Sequence, residues 1–195
     1  MSLHTTNVIL GTRSFTEGTE CDDIIVGAPA AAVSGGTGSI LGDTLRGLER
    51  HDVLQGSQGE DKLYGDEGND ELTGADGSDQ FYAGPGNDIL QAGFGNDFLV
   101  GGEGNDELFS GPDDDLLIGG PRADYFDCGD GNDVVIDFNP DRGDTQASNC
   151  EVVLTDLGDK EIFVQEGIVK SQLQALGIGS ARDPIDLDEI GEEID

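Results

Sequence analysis

The sequence predicts an all-β fold, a parallel solenoid of stacked coils that ends in a small cap of strands and one helix. An aspartate recurs every nine residues through the middle of the chain, and an apolar residue follows each aspartate two positions later. The composition has 32 glycines, no tryptophan and 6% aromatic residues in 195, too little for an ordinary globular core. A thin core repeated along a solenoid accounts for these observations.

The repeat runs unbroken from residue 38 to residue 136. Its aspartates are Asp43, Asp52, Asp61, Asp70, Asp79, Asp88, Asp97, Asp106, Asp115, Asp124 and Asp133. The apolar residues are Leu45, Leu54, Leu63, Leu72, Phe81, Leu90, Leu99, Leu108, Leu117, Phe126 and Val135. A glycine two residues before the aspartate occurs at Gly59, Gly68, Gly77, Gly86, Gly95, Gly104 and Gly131. An outlying copy at residues 18–26 matches the repeat at Gly18, five residues before the aspartate, and at Asp23 and Ile25, and then loses register by two residues.

The spacing predicts very short strands in which each apolar residue faces inward and its neighbours face outward. Two nine-residue units then form one coil, and units eighteen residues apart stack. The aspartates fall into two columns, one from Asp43 to Asp133 and the other from Asp52 to Asp124. Coils lie about 4.8 Å apart, so unscreened carboxylates would repel strongly. A divalent ion in each gap would remove the repulsion, with nine ions at most from five gaps plus four, which changes the formal charge from −33 to −15.

The charge balance indicates cations as partners. Acidic residues outnumber basic ones by 42 to 9, which disfavours nucleic acids and anionic membranes. The chain contains no run of 18 apolar residues for a membrane span, and residues 1–14 lack the features of a secretory signal. Carboxylate and turn-carbonyl oxygens are the ligands that calcium prefers.

The repeat resembles the nonapeptide G-G-x-G-x-D-x-U-x of the RTX (repeats-in-toxin, hemolysin-type) family, in which U is a large apolar residue. The segment GGEGNDELF at residues 101–109 matches at every defined position. The resemblance implies a right-handed parallel β-roll that binds calcium. It also implies that each ion takes an Asp carboxylate and two turn carbonyls from one loop, and the equivalent set from the loop eighteen residues on.

Carried onto this chain, the site between Asp61 and Asp79 would add the carbonyls of Ser57 and Gly59, and those of Gly74 and Asp76. The pairs with turn glycines in both loops are Asp61/Asp79, Asp70/Asp88, Asp79/Asp97 and Asp88/Asp106. The further carbonyl ligands implied for them are Asp66, Gly68, Ala75, Gly77, Ala83, Gly84, Pro85, Gly86, Ala92, Phe94, Gly101 and Glu103.

The terminal units depart from the pattern, because Leu41, Arg50, Asp113 and Arg122 replace the turn glycine. An arginine in the loop could stand in for a cation. We therefore expect sites that use Asp52 or Asp124 to be weak or empty. A disordered Gly/Asp-rich segment is the alternative to the roll, and it describes the chain without calcium, so folding should require the ion.

The outward positions of the first column become apolar toward the C-terminus. We call this set the apolar stripe: Tyr64, Tyr82, Phe98, Val100, Leu116, Ile118, Val134 and Ile136. The second column is more polar, with Glu71, Thr73, Gln91, Glu107 and Asp127. The stripe indicates either cover by the C-terminal segment or a surface for self-association or a protein partner.

The C-terminal third is predicted to cap the roll. The segment VVIDFNPDRGD resembles sequences that close such rolls, and two strands are predicted around Gly158 and Asp159. A short helix is predicted over Val169, Leu173 and Leu176. The predicted divisions are an N-terminal cap or start at 1–17, the roll at 18–136, the cap at 137–180 and an acidic tail at 181–195.

The three cysteines leave two alternatives open. Cys128 and Cys150 either form a disulfide between the last repeat and the closing segment or remain two buried thiols, and Cys21 is left unpaired. A disulfide and a calcium requirement both indicate secretion.

No catalytic site is predicted. His4 and His51 have no recognisable partner, and the sequence lacks the H-E-x-x-H, G-x-S-x-G and P-loop motifs. Two functions remain. One is a secreted calcium-binding structural or cell-surface module, and the other is an accessory module of an adhesin or of a separate secreted enzyme.

Overall fold

The computed structural model describes residues 7–10, 16–19, 21, 23–27, 42–150, 152–155, 161–162 and 185–186. These residues contain strands and turns and no helix. The helix predicted over Val169, Leu173 and Leu176 lies outside the described residues, as do His4 and the acidic tail other than Ile185–Asp186. The described part has no helix long and apolar enough to span a membrane.

Eighteen strands follow one another in the described part of the chain. Their bounds are β1 Asn7–Leu10, β2 Thr16–Glu17, β3 Asp23–Val26, β4 Thr44–Glu49, β5 Val53–Gln55, β6 Lys62–Glu67, β7 Glu71–Asp76, β8 Gln80–Tyr82, β9 Ile89–Phe94, β10 Phe98–Val100, β11 Glu107–Phe109, β12 Leu116–Ile118, β13 Tyr125–Asp127, β14 Val134–Phe138, β15 Thr145–Gln146, β16 Val152–Thr155, β17 Glu161–Ile162 and β18 Ile185–Asp186.

The strands form two parallel sheets of eight, with the odd strands β1 to β15 in one and the even strands β2 to β16 in the other. Within the repeats, aligned residues are eighteen positions apart, as for Leu72 opposite Leu90 and Leu90 opposite Leu108. Each coil therefore adds one strand to each sheet. The predicted all-β parallel solenoid is confirmed, and its sheets extend beyond residues 18–136 at both ends.

The core is the predicted apolar ladder. All of its side chains are fully buried, together with Ile25 from the outlying copy. Leucine stacks on leucine through most of the second column, and in the first column Phe81 and Val135 interrupt the leucines, so that an apolar side chain occupies every level. Burying one such side chain stabilises the fold by about 1.5–3 kcal/mol, so stability comes from repetition of a narrow layer.

Some strands are longer than predicted. β4, β6, β7 and β9 each have six residues, where the pattern indicated about three. The pairing continues into the turn, with Leu48 opposite Asp66 and Ala75 opposite Gly93. Leu48, Asp66 and Ala75 have positive φ angles of 91°, 64° and 112°, which bend the chain while its hydrogen bonds to the next coil persist.

Most of the apolar stripe is buried in this chain, while Tyr64 and Val100 are partly exposed. Phe98, Leu116 and Val134 are 0% exposed, and Ile136 and Ile118 are 1% and 5% exposed. This burial within a single chain favours intramolecular cover over a surface for self-association. The N-terminal part of the stripe is an aromatic stack, in which Tyr82 packs against both Tyr64 and Phe98. The guanidinium of Arg46 lies over the ring of Tyr64.

The two strands predicted around Gly158 and Asp159 are present as β16 and β17, but they belong to different sheets. β16 pairs in parallel with β14 and continues the roll. β17 pairs antiparallel with β18. The closing segment therefore adds further strands to the roll, at β15 and β16, before the chain leaves it.

Candidate metal centre

The aspartates of each column are joined by a ladder of hydrogen bonds. The backbone N–H of one aspartate donates to Oδ1 of the aspartate eighteen residues later. In the first column the distances rise from 2.6 Å for Asp43 to Asp61 to 2.9 Å for Asp115 to Asp133. In the second column they are 2.7–2.9 Å between Asp52 and Asp124. All eleven side chains are buried.

The backbone carbonyl groups of the aspartates also take part in hydrogen bonds between coils. The carbonyl oxygen of Asp88 accepts the N–H of Glu107 at 2.9 Å, and that of Asp97 accepts the N–H of Leu116 at 2.9 Å. Each aspartate lies just before a strand, so the sheet fixes its position on one side and the turn fixes it on the other. The carboxylates are therefore aligned by the same hydrogen bonds that stack the coils.

Two residues that sequence reasoning did not place in the columns extend the second ladder. Asp23 donates its N–H to Oδ1 of Asp52 at 2.6 Å, and Asp124 donates its N–H to Oδ1 of Asp144 at 3.1 Å. Their spacings are 29 and 20 residues, which hides them from a search with an eighteen-residue period. Asp144 does share one signal with the repeats, since it directly precedes strand β15.

The second carboxylate oxygen, Oδ2, is buried in both columns. It has no hydrogen-bond donor among the described residues at Asp70, Asp79, Asp88, Asp97, Asp106 and Asp124. A buried oxygen without a donor costs about 1–3 kcal/mol, and more when it is charged. These atoms therefore need either a proton or a cation.

Three of these oxygens, those of Asp70, Asp79 and Asp106, lie beside a carbonyl of the next coil. A Cβ atom placed on Gly65 would lie 2.6 Å from Oδ2 of Asp70 and 2.5 Å from the carbonyl oxygen of Ala83. A Cβ atom placed on Gly101 would lie 2.6 Å from Oδ2 of Asp106 and 2.7 Å from the carbonyl oxygen of Gly119. A carboxylate oxygen and the carbonyl thirteen residues later thus approach the same small space.

The predicted carbonyl ligands take three kinds of position. Those of Gly74, Ala83 and Ala92 lie beside Oδ2 of Asp61, Asp70 and Asp79. Those of Asp76, Pro85, Phe94 and Glu103 accept hydrogen bonds of 2.7–3.1 Å from Gly59, Gly68, Gly77 and Gly86 of the preceding coil, and Gly101 accepts one from Gly84. Those of Gly59, Gly68, Gly77, Gly86, Asp66, Ala75 and Gly84 face a glycine of the next coil.

Ser57 differs from the other predicted ligands, because its N–H donates to Oδ2 of Asp61 at 2.7 Å. This local bond gives Asp61 a partner that the six aspartates above do not have. A carbonyl oxygen has two lone pairs, so one that accepts a hydrogen bond can still coordinate an ion.

The donor set suits calcium. Among the described residues, no three His, Cys, Asp or Glu side chains converge on one point, so an ion would take much of its shell from the backbone. Calcium accepts six to eight oxygens in flexible geometry, whereas zinc requires nitrogen or sulfur ligands at a tetrahedral centre. The residues present therefore fit calcium.

Burial strongly perturbs these carboxyl groups. Removal from water raises the pKa of Asp70, Asp97 and Asp106 to about 8, and neighbouring carboxylates of the same column add to the effect. Burial also raises the pKa of Asp79 and Asp88 to about 7. An ionised column is therefore unfavourable at neutral pH unless a cation neutralises it.

The turn shape survives at the terminal units where glycine is absent. Arg50, Asp113 and Arg122 adopt φ angles of 85°, 89° and 108°, in the left-handed region that glycine favours. Arg50 and Arg122 are exposed. Arg142 has its guanidinium within 4 Å of Asp144, at the end of the acidic column, and of the neighbouring Asp137.

A disulfide joins the last repeat to the closing segment. Cys128 and Cys150 are bonded, with their Cα atoms 5.2 Å apart, and Cys128 is fully buried. The side-chain amide of the neighbouring Asn149 donates to Oδ1 of Asp127 at 2.6 Å. Cys21 is a free cysteine.

Comparison with protein families agrees with this geometry. The family model of the RTX calcium-binding nonapeptide repeat, in four copies, matches residues 37–72, 73–108 and 109–136. The chain belongs to the RTX calcium-binding repeat family. No curated protein and no solved structure matches the chain. RTX repeats bind calcium, so the roll of this RTX protein is a calcium-binding β-roll module.

Proposed function

We propose that this RTX protein is secreted, folds when it binds calcium, and acts outside the cell as a structural or cell-surface module. The observation that carries the proposal is the pair of buried aspartate ladders. Their Oδ1 atoms are satisfied by the backbone, and their Oδ2 atoms are buried beside carbonyl oxygens of the next coil.

Calcium binding and folding are coupled because each site combines oxygens from two coils. The stacked geometry that brings these oxygens together exists only in the folded chain, so the binding free energy becomes folding free energy. The ions would lie between successive aspartates of each column, nine at most within the repeats. The four gaps between Asp61 and Asp106 have the most regular loops.

The disulfide supports an extracellular location. Disulfides persist in oxidising compartments, and the bond between Cys128 and Cys150 fastens the closing segment to the last repeat. Calcium is also abundant outside cells. We propose that the roll is the working part of the chain, preceded by a short N-terminal start and followed by the cap and the acidic tail.

A non-catalytic role is consistent with the position of His51. Its Nδ1 accepts the N–H of Asn69 at 2.8 Å, in an outer ladder that continues through Asn87 and Asn105. His51 thus takes part in coil stacking at the surface. The module would serve through its shape and its response to calcium rather than through a reaction.

The test is a calcium titration followed by circular dichroism, with reversal by EGTA and magnesium as the control ion. The chain should gain β-structure as calcium is added, lose it on chelation, and respond weakly to magnesium, which demands octahedral geometry. A spectrum that is the same in EGTA and in calcium would overturn the proposal.

A further inference from the structure

The C-terminal end of the second column contains an arginine beside its carboxylates. Nη2 of Arg142 donates to the carbonyl oxygen of Asp137 at 2.6 Å. It lies 3.5 Å from Oδ2 of Asp137 and 3.8 Å from Oδ2 of Asp144. The side chain of Asp144 is 1% exposed, so this arginine faces a buried carboxylate.

Counted along the sequence, the contacts of this guanidinium fall at the next level of the repeat. In the preceding coils Oδ2 of Asp70 lies beside the carbonyl of Ala83, and Oδ2 of Asp106 beside that of Gly119, thirteen residues later in both cases. The carbonyl thirteen residues after Asp124 is that of Asp137, the one that Arg142 binds. The next aspartate of the ladder is Asp144, the other contact of Arg142.

The closing turn holds the arginine in place. The N–H of Arg142 donates to the carbonyl of Asn139 at 3.0 Å, which closes a turn through Pro140. The N–H of Asn139 donates to Oδ2 of Asp144 at 2.7 Å. The same turn therefore fixes the positions of Arg142 and Asp144 relative to each other, and it holds the guanidinium beside the carboxylate.

We propose that the guanidinium of Arg142 is the resident cation at the last level of the second column, so that the level between Asp124 and Asp144 takes no calcium. This inference rests on the proposed calcium binding of the repeats. Calcium would supply the positive charge within the repeats, and Arg142 would supply it at the closing end of the roll. The disulfide-bonded end would then carry a positive charge of its own in place of a bound ion.

The test is the number of calcium ions bound per chain, measured by native mass spectrometry and by equilibrium dialysis, for four proteins. These are the wild type, Arg142→Gln, Arg142→Lys and the matched control Arg122→Gln, which removes an exposed arginine of the neighbouring turn. Arg142→Gln should bind about one additional Ca²⁺, because the carboxylates of Asp124, Asp137 and Asp144 then lack a cation. Arg142→Lys and Arg122→Gln should bind the wild-type number.

An unchanged ion count in a folded Arg142→Gln protein would overturn the inference. If Arg142→Gln fails to fold in calcium, the double variant Arg142→Gln/Asp137→Asn decides the matter. Removing the facing charge should restore folding if the arginine acts as a cation, and continued failure to fold would overturn that role. A wild-type chain that binds no calcium would overturn the proposed function itself, and this inference with it.

Discussion

The backbone N–H of Asp88 donates to Oδ1 of Asp106 at 2.8 Å, which joins two residues eighteen positions apart on neighbouring coils. The same side chain leaves its Oδ2 buried and without a hydrogen-bond donor among the described residues. One oxygen of Asp106 therefore accepts a hydrogen bond of the fold, and we propose that the other binds the ion. A substitution that changes only the second oxygen can therefore separate the contribution of the metal to stability from that of the hydrogen-bond ladder.

Asp88→Asn should remove calcium binding locally while keeping the ladder, because the Asn oxygen can still accept the N–H of Asp70. Asp88 faces a gap on each side, so we expect up to about two fewer bound ions and a higher calcium midpoint of folding. Isothermal titration calorimetry measures both quantities.

The matched control is Asp114→Asn. Oδ1 of Asp114 accepts the N–H of Asn132 at 2.9 Å in the outer ladder, where Asn96 already makes the same kind of bond. This variant should bind calcium like the wild type. An equal loss of bound calcium in the two variants would show that the net charge of the protein, and not the buried aspartate column, governs calcium binding.

Acid should substitute for calcium. An aspartate such as Asp70, with a pKa raised from 3.8 to about 8 in the fold, favours the folded state at low pH. That stability is fully present below the unfolded value and is lost as pH rises through the folded value. In EGTA, β-structure measured by circular dichroism should therefore increase as the pH falls from 8 to about 4.

The calcium midpoint of folding should fall with the pH, because protons on the buried carboxyl groups favour the folded chain, while the aspartates of the unfolded chain are ionised at both pH 6 and pH 8. Less calcium should therefore be needed for half-folding at pH 6 than at pH 8. A midpoint that rises as the pH falls would contradict the raised pKa values of Asp97 and Asp106.

Gly95→Ala should destabilise the calcium-loaded roll by at least about 2 kcal/mol. Gly95 has a φ angle of 126°, and a Cβ there would overlap the carbonyl oxygen of Gly77, which belongs to rigid backbone. Thermal unfolding in saturating calcium measures the effect. Arg122→Ala, at the same turn position in another loop, adds no Cβ and should change the stability by less than about 0.5 kcal/mol.

Removing the disulfide with Cys128→Ala/Cys150→Ala should lower the free energy of unfolding by about 3 kcal/mol, since the bond closes a loop of 22 residues. Urea unfolding in calcium gives this quantity. Cys21→Ala is the matched control, because Cys21 is a free cysteine and should leave the unfolding midpoint unchanged. A reductant should reproduce the double variant's effect on the wild type.

The sequence by itself determined the coil, the two sheets, the buried ladder from Leu45 to Val135 and the two columns of aspartates. A nine-residue period predicts directly which side chains face inward, because each unit repeats the same local geometry. The tertiary structure alone decided how the columns end, how far strands such as β7 extend into the turns, and that the apolar stripe is buried.

Asp23 and Asp144 join the second ladder at spacings of 29 and 20 residues, and Arg142 rather than Arg122 reaches the acidic end. These contacts form across insertions and closing turns whose length the period does not set. They depend on which strands stack and where the closing turn directs its side chains. A local sequence pattern cannot predict such non-local contacts. The free energy of packing and hydrogen bonding that selects them arises only when the whole roll is assembled.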